Sequence, residues 1–299
     1  MKKEGKKLKV ALVQMAAKPG RLEENLKLAI KLSKKAICKG ASLVVLPELF
    51  DSGYCVEEAK FAAPVSNIAL GKNPSLSALL PLCKESPHPV YIVGCTIEKS
   101  IEGRIYDTAF ILGAEGLVGS YRKVYLWGGE VDRFSRGSAY PVFNLDFGGF
   151  KAKVGLQICY EIGFGEGARI LALKGAKILI YPSAFGLARR YAWRLASRAR
   201  ALESGAYVLA ANHSGSERGL DSKKLRFASD SRIIDPKGRV LASPKRYKKG
   251  GKRKSRAKNC LVMSSINLAL VDSQRLAIPY LEDIDLALQS GHLHELQRR

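Results

Sequence analysis

The chain has 299 residues, 46% hydrophobic and 26% charged, and this composition excludes a disordered chain, a collagen-like fibre and a coiled coil. Its 50 lysines and arginines outnumber its 27 acidic residues, and the net charge of +23 favours anionic partners without specifying a fold. The longest apolar stretches are shorter than the ~18 residues that a membrane span needs, so we expect no membrane partner.

Short apolar runs alternate with segments of helical periodicity along the chain. In the first half this pattern predicts strands at 10–15, 42–46 and 90–97, helices at 22–37 and 76–82, and a hairpin joining 108–112 to 117–121. In the second half it predicts strands at 153–159, 178–181, 207–211, 229–235, 239–242 and 261–266, helices at 166–174 and 189–204, and a helix-rich tail. Such alternation is typical of a layered α/β fold with much parallel sheet.

The domain organisation follows from where the composition changes. No linker rich in Pro, Gly or Ser divides the chain, so we expect one domain over 8–266, a basic tail at 1–7 and a helical tail at 267–299. Residues 245–258 hold nine basic residues and no acid, and we interpret them as a surface loop before the last strand. The first apolar run contains Gln14 and leads directly to Lys18, which favours a buried strand over a signal peptide.

The six cysteines, at positions 38, 55, 83, 95, 159 and 260, form no CxxC pair and show no regular spacing. In a chain of this length they indicate free thiols rather than a disulfide framework or a zinc site. We therefore predict a cytoplasmic protein with no metal bound by its cysteines.

Several common catalytic motifs are missing from the sequence. It contains no GxSxG nucleophile elbow, no GxxxxGK[ST] loop and no HExxH motif, and its four histidines (88, 213, 292 and 294) offer little to a histidine-based triad. Residues 163–168 match GxGxxA, but they lie in mid-chain and no acid follows about 20 residues later, so they do not indicate dinucleotide binding.

Three reactive side chains follow predicted strands: Glu48, Lys123 and Cys159. Alone, each is more often a solvated charge or an inert buried thiol. Sheets of this class gather the carboxyl ends of their strands at one cleft, where the three could act together. A carboxylate whose pKa is raised by burial can accept a thiol proton, and an ammonium can stabilise an oxyanion. The positive end of the helix predicted at 166–174 would favour the thiolate.

The motifs around these residues resemble those of the nitrilase superfamily of carbon–nitrogen hydrolases, in the same order along most of the chain. The resemblance rests on LPELF (46–50), YRKVYLW (121–127), GLQICYEIGFGEGAR (155–169), YPSAF (181–185), RARALE (198–203) and DPKGRV (235–240). It implies a four-layer α-β-β-α sandwich of two mixed sheets in a single domain. It also implies an amidase-like hydrolase that needs no metal or organic cofactor and converts a small amide or carbamoyl amide to an acid through a thioester.

The same resemblance implies roles for individual residues. Glu48 matches the general base, Lys123 the family's lysine and Cys159 the nucleophile, while Glu130 matches a second glutamate that orients the lysine or the attacking water. The backbone N–H of Tyr160 would share the oxyanion with the lysine. Residues beside the motifs are expected to form the substrate pocket: Phe50, Tyr54, Trp127, Tyr160, Phe185 and Asn212. Family members commonly pair through two helices, so 166–174 and 189–204 are the expected surface of a homodimer or larger oligomer.

The sequence departs from the family pattern just after the nucleophile. Glu161 stands where many members have Asp, and Ile162 and Gly163 stand where members acting on N-carbamoyl amino acids or ω-amides often carry arginine. This difference argues against an α-carboxylate clamp at that place. Arg189 and Arg190 could substitute from another loop, although exposed cations at the start of a helix are the simpler interpretation.

Three other functions stay open at this point. A nitrilase would convert R–C≡N to an acid with the same thiol, and a glutaminase that delivers ammonia would need a partner chain. The basic tract at 245–258 raises the possibility of RNA or anion binding. Its one aromatic residue is Tyr247 and no nucleic-acid module is recognisable, so we do not expect a nucleic-acid partner.

Overall fold

The computed structural model describes residues 7–65, 72–219, 222–249, 252–256 and 259–297. Its helices are α1 (Leu22–Cys38), α2 (Pro74–Lys84), α3 (Gly165–Leu173), α4 (Arg190–Glu203), α5 (Ala269–Ala277) and α6 (Leu286–Gln297). Its strands are β1 (Lys7–Gln14), β2 (Leu43–Val45), β3 (Tyr91–Lys99), β4 (Ile105–Gly113), β5 (Gly116–Arg122), β6 (Val142–Asp146), β7 (Lys151–Leu156), β8 (Ile178–Ser183), β9 (Tyr207–Asn212), β10 (Ser216–Arg218), β11 (Lys224–Arg226), β12 (Arg232–Ile234), β13 (Val240–Ala242), β14 (Arg246–Lys249), β15 (Lys252–Arg256) and β16 (Cys260–Asn267). Short 3-10 helices lie at Glu58–Lys60, Gly128–Asp132, Cys159–Gly163 and Leu187–Arg189.

Local sequence explains where the first two helices begin and end. Acidic Glu23 and Glu24 lie in the first turn of α1, where they complement the helix dipole. The chain leaves α1 through Gly40, which has a φ of +83° that glycine adopts without strain. Helix α2 is capped by Asn73, whose side chain accepts hydrogen bonds from the next N–H groups, and Pro74 occupies its first turn.

Two six-stranded sheets place the ends of the key strands. The first has the order β16-β1-β2-β3-β4-β5 and the second the order β13-β12-β9-β8-β7-β6. In each sheet three neighbouring strands are parallel, β1-β2-β3 and β7-β8-β9. The strands that flank them are antiparallel, so both sheets are mixed.

Apolar side chains form three layers between and outside the sheets. The inner layer joins Leu12 and Val45 of the first sheet to Val154 and Ile180 of the second. Helices α1 and α2 cover the outer face of the first sheet, and α3 and α4 cover that of the second, where Trp193 is fully buried. The predicted four-layer α-β-β-α sandwich in a single domain is therefore confirmed.

Two strands depart from the prediction by three residues at one end. Strand β7 ends at Leu156, and Cys159 begins a 3-10 helix because its φ of +48° takes the backbone out of the extended conformation. The strand predicted at 229–235 is reduced to β12, since Ser229 has a φ of +50°. Strands β6, β10 and β11 were not predicted, because each is short and partly polar.

The basic tract at 245–258 is in part a hairpin, where a loop was predicted. Strands β14 and β15 pair in antiparallel fashion, with Lys249 opposite Lys252. Backbone groups form this ladder, so a run of charged side chains does not prevent it. Residues 250–251, 257–258 and most of the predicted tail at 1–7 lie outside the described residues. In the part of the chain that the structure describes, no helix is both long and apolar enough to cross a membrane.

Candidate active site

A fully buried ammonium group lies among three carboxylates. Lys123 follows β5, and its Nζ donates to Glu48 Oε1 at 2.5 Å, Glu130 Oε1 at 3.0 Å and Asp107 Oδ2 at 3.3 Å. Sequence reasoning missed Asp107, which lies near the start of β4 and belongs to no motif. The three acids have oxygen atoms within 4.8 Å of one another, a spacing that could hold a metal ion. Lys123 already supplies the positive charge at that place.

The backbone around Glu48 is held by several contacts. Glu48 follows β2, and the next residue, Leu49, has a φ of +46°, a conformation that costs a non-glycine residue energy. The Oε2 atom of Glu48 accepts the backbone N–H of Ala184 at 2.7 Å. Burial lowers the pKa of His213 to about 4, so this imidazole is neutral at pH 7. It then donates from Nε2 to the carbonyl oxygen of Glu48 at 2.5 Å.

Glu130 is held by donors on both carboxylate oxygens. The Tyr54 hydroxyl donates to Oε1 at 2.6 Å and the backbone N–H of Trp127 donates to Oε2 at 2.7 Å. The loop that carries Tyr54 is held in turn by Glu217, whose Oε2 accepts the N–H groups of Tyr54 and Cys55 at 2.9 and 2.8 Å. Glu217, on β10, was not predicted from sequence because its contacts are more than 160 residues away.

Glu161 joins the segment after Lys123 to the turn that carries Cys159. Its Oε2 accepts the N–H of Ile158 at 2.7 Å, just before the cysteine. Its Oε1 accepts the hydroxyl of Tyr121 at 2.6 Å and the N–H groups of the two residues after Lys123, 124 and 125, at 2.9 and 3.2 Å. One buried carboxylate thus fixes two candidate catalytic segments relative to each other.

Burial and the neighbouring charges set the pKa values of the site. Burial raises the pKa of Glu48 well above its ordinary value, while the ammonium of Lys123 acts in the opposite direction. Burial alone would lower the pKa of Lys123, but the surrounding carboxylates, Glu48 foremost, hold it well above its ordinary value. Burial also raises the pKa of the Cys159 thiol, and the charge of Glu48 adds to the rise. The resting cysteine is therefore a thiol that needs a nearby base.

Cys159 lies in the wall of a cavity of about 210 Å³. Four of the predicted pocket residues line the same cavity: Tyr54, Trp127, Tyr160 and Phe185. The lining residues that sequence reasoning did not predict for the pocket are Ile162, Gly163, Ala184, Gly186, Arg189, Ala192, Ala196 and Leu225. They come from the turns after β7 and β8, from the first turns of α4 and from β11. Ile162, Gly163 and Ala184 lie inside the quoted motifs, whereas no motif marks Ala192, Ala196 or Leu225.

Two predicted pocket residues lie elsewhere. Phe50 is completely buried in the layer between the first sheet and its helices, because the turn at Leu49 directs it away from the cavity. Asn212 is also buried, and its Oδ1 accepts the N–H of Phe185 at 2.9 Å. Asn212 therefore supports a wall residue instead of forming the wall.

The family model of the carbon-nitrogen hydrolases matches residues 9–276. The chain belongs to this family. It is a member of the nitrilase superfamily and a hydrolase of C–N bonds other than peptide bonds.

Relatives of this carbon–nitrogen hydrolase carry nitrilase and amidase names. It is 38% identical over 236 residues to a nitrilase of Pyrococcus abyssi, covering 79% of this chain and 84% of that one. It is 34% identical over 248 residues to the omega-amidase NIT2 of Xenopus tropicalis, with the same coverage of 79% and 84%.

Solved structures of an amidase from Nesterenkonia sp. AN1 have the same fold as this carbon–nitrogen hydrolase. One, a double mutant in complex with acrylamide, has a TM-score of 0.76 at 26% identity and covers 97% of this chain and 99% of its own. Another mutant of that amidase carries the acetamide moiety of fluoroacetamide covalently on its active-site cysteine, with a TM-score of 0.75, 25% identity and coverage of 95% and 96%.

Proposed function

We propose that this carbon–nitrogen hydrolase converts small amides to acids and ammonia, or an amine, through a thioester on Cys159. The observation that carries the proposal is the position of this thiol in the wall of an apolar cavity, near enough to the buried pair of Glu48 and Lys123 for both charges to act on its pKa. The covalent adduct and the acrylamide complex of the Nesterenkonia amidase support the same chemistry by similarity.

The first half of the reaction forms the thioester. Glu48 accepts the proton of Cys159 as the sulfur attacks the amide carbon. Lys123 and the N–H of Tyr160, at the start of a 3-10 helix whose first N–H groups have no partner within the helix, stabilise the oxyanion. Glu48 then returns the proton to the leaving nitrogen. The negative charge moves to the substrate oxygen, so the buried acids do not gain an uncompensated charge.

The second half of the reaction releases the acid. Glu48, again ionised, takes a proton from a water molecule that attacks the thioester, and the thiol is regenerated. We propose that Glu130 orients Lys123 rather than the water. Each oxygen of Glu130 already lies within 3.0 Å of Lys123 Nζ and of another donor, so the carboxylate has little freedom to bind the attacking water as well.

The second candidate is a nitrilase, favoured by the name of the Pyrococcus abyssi relative. The same thiol would attack a nitrile carbon, and the site offers the same base and cation. A panel of matched amides and nitriles, assayed by ammonia release, separates the two candidates. We expect faster release from the amides, and exclusive turnover of nitriles would favour the nitrilase.

The thioester is tested by denaturing mass spectrometry during turnover. We expect the wild-type protein to carry an acyl mass increment on Cys159, and Cys159→Ala to release no ammonia while remaining folded. Cys38→Ala is the matched control, because Cys38 is an exposed free thiol at the end of α1. Ammonia release by Cys159→Ala at a rate near that of the wild type would contradict the proposal.

We also propose that α3 and α4 form the contact of a homodimer. On α4, Tyr191 and Leu195 are 74% and 71% exposed, and Leu202 continues the same stripe at helical spacing. Sedimentation of the wild type and of Leu195→Glu tests this contact. A dimer that Leu195→Glu dissociates is expected, whereas a wild-type monomer would refute it.

A further inference from the structure

Of the described residues in the wall of the cavity at Cys159, one is charged. Among the described residues that line it, Arg189 alone carries a permanent charge; the rest are apolar or aromatic side chains, glycines and the thiol. An apolar wall with one placed cation is a common way to orient a ligand that has one anionic group.

The guanidinium of Arg189 is positioned by an aromatic ring. Its Cζ lies 4.2 Å from the centroid of the Trp127 ring, a cation–π distance, and the residue is half-buried. Other arginines are paired, Arg122 with Glu98 and Arg194 with Asp230. Within the described ranges no carboxylate forms an ion pair with Arg189. Its fork of N–H donors is therefore available to a ligand.

Aromatic rings connect Arg189 to the neighbour of the nucleophile. Its stacking partner Trp127 contacts the ring of Tyr160, the neighbour of the nucleophile, at 4.8 Å between centroids. The acids Glu48 and Glu130 are held by Lys123 and would repel an anion close to the nucleophile. An anionic group of the substrate is thus favoured at the arginine and disfavoured beside the reacting carbon.

We infer that Arg189 binds a carboxylate of the substrate and selects small amides that carry a carboxylate at the end remote from the scissile C–N bond. This inference rests on the proposed amidase function. A guanidinium binds a carboxylate through two parallel N–H···O bonds, which fixes the orientation of the ligand as well as its charge. The volume of about 210 Å³ limits the substrate to a short chain. Arg189 thus takes over the clamp that Ile162 and Gly163 do not supply.

The test compares two series of amides of equal length. Malonamate, succinamate and glutaramate carry the carboxylate, and propionamide, butyramide and valeramide replace it by a methyl group. For the best carboxylate member, Arg189→Gln is expected to lower kcat/KM about 10- to 100-fold, mainly through KM, because charge-assisted hydrogen bonds are lost. Turnover of the neutral partner should change by less than about threefold. Arg189→Lys should recover part of the loss, and Arg190→Gln, outside the cavity wall, is the control.

A second measurement does not depend on turnover. In Cys159→Ala, binding of succinamate should change the fluorescence of Trp127, and Arg189→Gln in that background should abolish the change. Equal losses for both amide series, or a wild type without preference for the carboxylate series, would overturn the inference. Hydrolysis of neutral amides with no such preference would leave the proposed function intact. Binding through Arg189 without hydrolysis of any amide would support the anion site and refute the proposed function.

Discussion

Replacement of Glu161 by glutamine is the sharpest test of how the site is held together. Three donors meet Oε1, so the glutamine oxygen is expected to turn toward them and its NH₂ group toward the N–H of Ile158. One hydrogen bond to a charged group is lost and two donors then face each other. The cost of such a change is about 1–3 kcal/mol of folding free energy, or about 2–4 °C in Tm for each kcal/mol.

The same change should affect catalysis more than binding. Ile158 directly precedes Cys159, and a nucleophile displaced by about 1 Å can cost about 10²-fold in rate. We expect Glu161→Gln to lower kcat by about that factor with little change in KM, measured by ammonia release at saturating amide. Tyr121→Phe, which removes one donor without creating repulsion, should lose much less. A kcat within twofold of wild type in a destabilised Glu161→Gln protein would refute the positioning role.

Three further changes test the charge cluster, the buried acid of β10 and the packing of the first sheet. Lys123→Ala should lose about 3–5 kcal/mol of stability by urea unfolding because it leaves buried acids unpaired, whereas Lys123→Arg should fold but lose about 10²–10³-fold in kcat. Burial raises the pKa of Glu217 from 4.5 to about 7, so its contribution to stability is present below pH 4.5 and is lost as the pH rises through 7. The Gln side chain in Glu217→Gln stays neutral, so the free energy of unfolding of this variant should rise by about 3 kcal/mol relative to that of the wild type between pH 4.5 and about pH 8. A stability difference that stays constant over this pH range would contradict the prediction. Gly119→Ala would place its Cβ 2.2 Å from the ring of Phe143 and should cost about 1–3 kcal/mol in thermal melts, while Gly129→Ala, with open space around it, should be neutral.

The buried charges explain why the site depends on so many distant residues. An ammonium and three carboxylates without solvent are stable only if every oxygen and every proton has a partner. Tyr54 and the backbone N–H groups of Trp127 and Ala184 supply such partners to carboxylate oxygens, and His213 holds the backbone of Glu48. Loss of any one of these hydrogen bonds is therefore expected to destabilise the buried charges or to move them.

The fold class, the order of most strands and helices, and the three residues with reactive side chains could be predicted from the amino-acid sequence. These features are local: hydrophobic periodicity, turn residues and short motifs are visible within windows of about 20 residues. Glu48, Lys123 and Cys159 follow β2, β5 and β7, each recognisable as an apolar run before a reactive side chain.

The other residues that reach the site could not be predicted, because contacts between distant segments bring them there. Asp107 is one of several polar residues in its segment, and the pairing of β4 with β5 places it against Lys123. Phe50 ends the LPELF motif, yet the backbone turn at Leu49 directs it away from the cavity. Asn212, the last residue of β9, accepts the N–H of Phe185 and does not line the cavity. Arg189 looked like an exposed cation, and its contact with Trp127, 62 positions earlier, places it in the wall. Side-chain direction depends on backbone turns and on packing between distant segments, and neither is encoded in a short stretch of sequence.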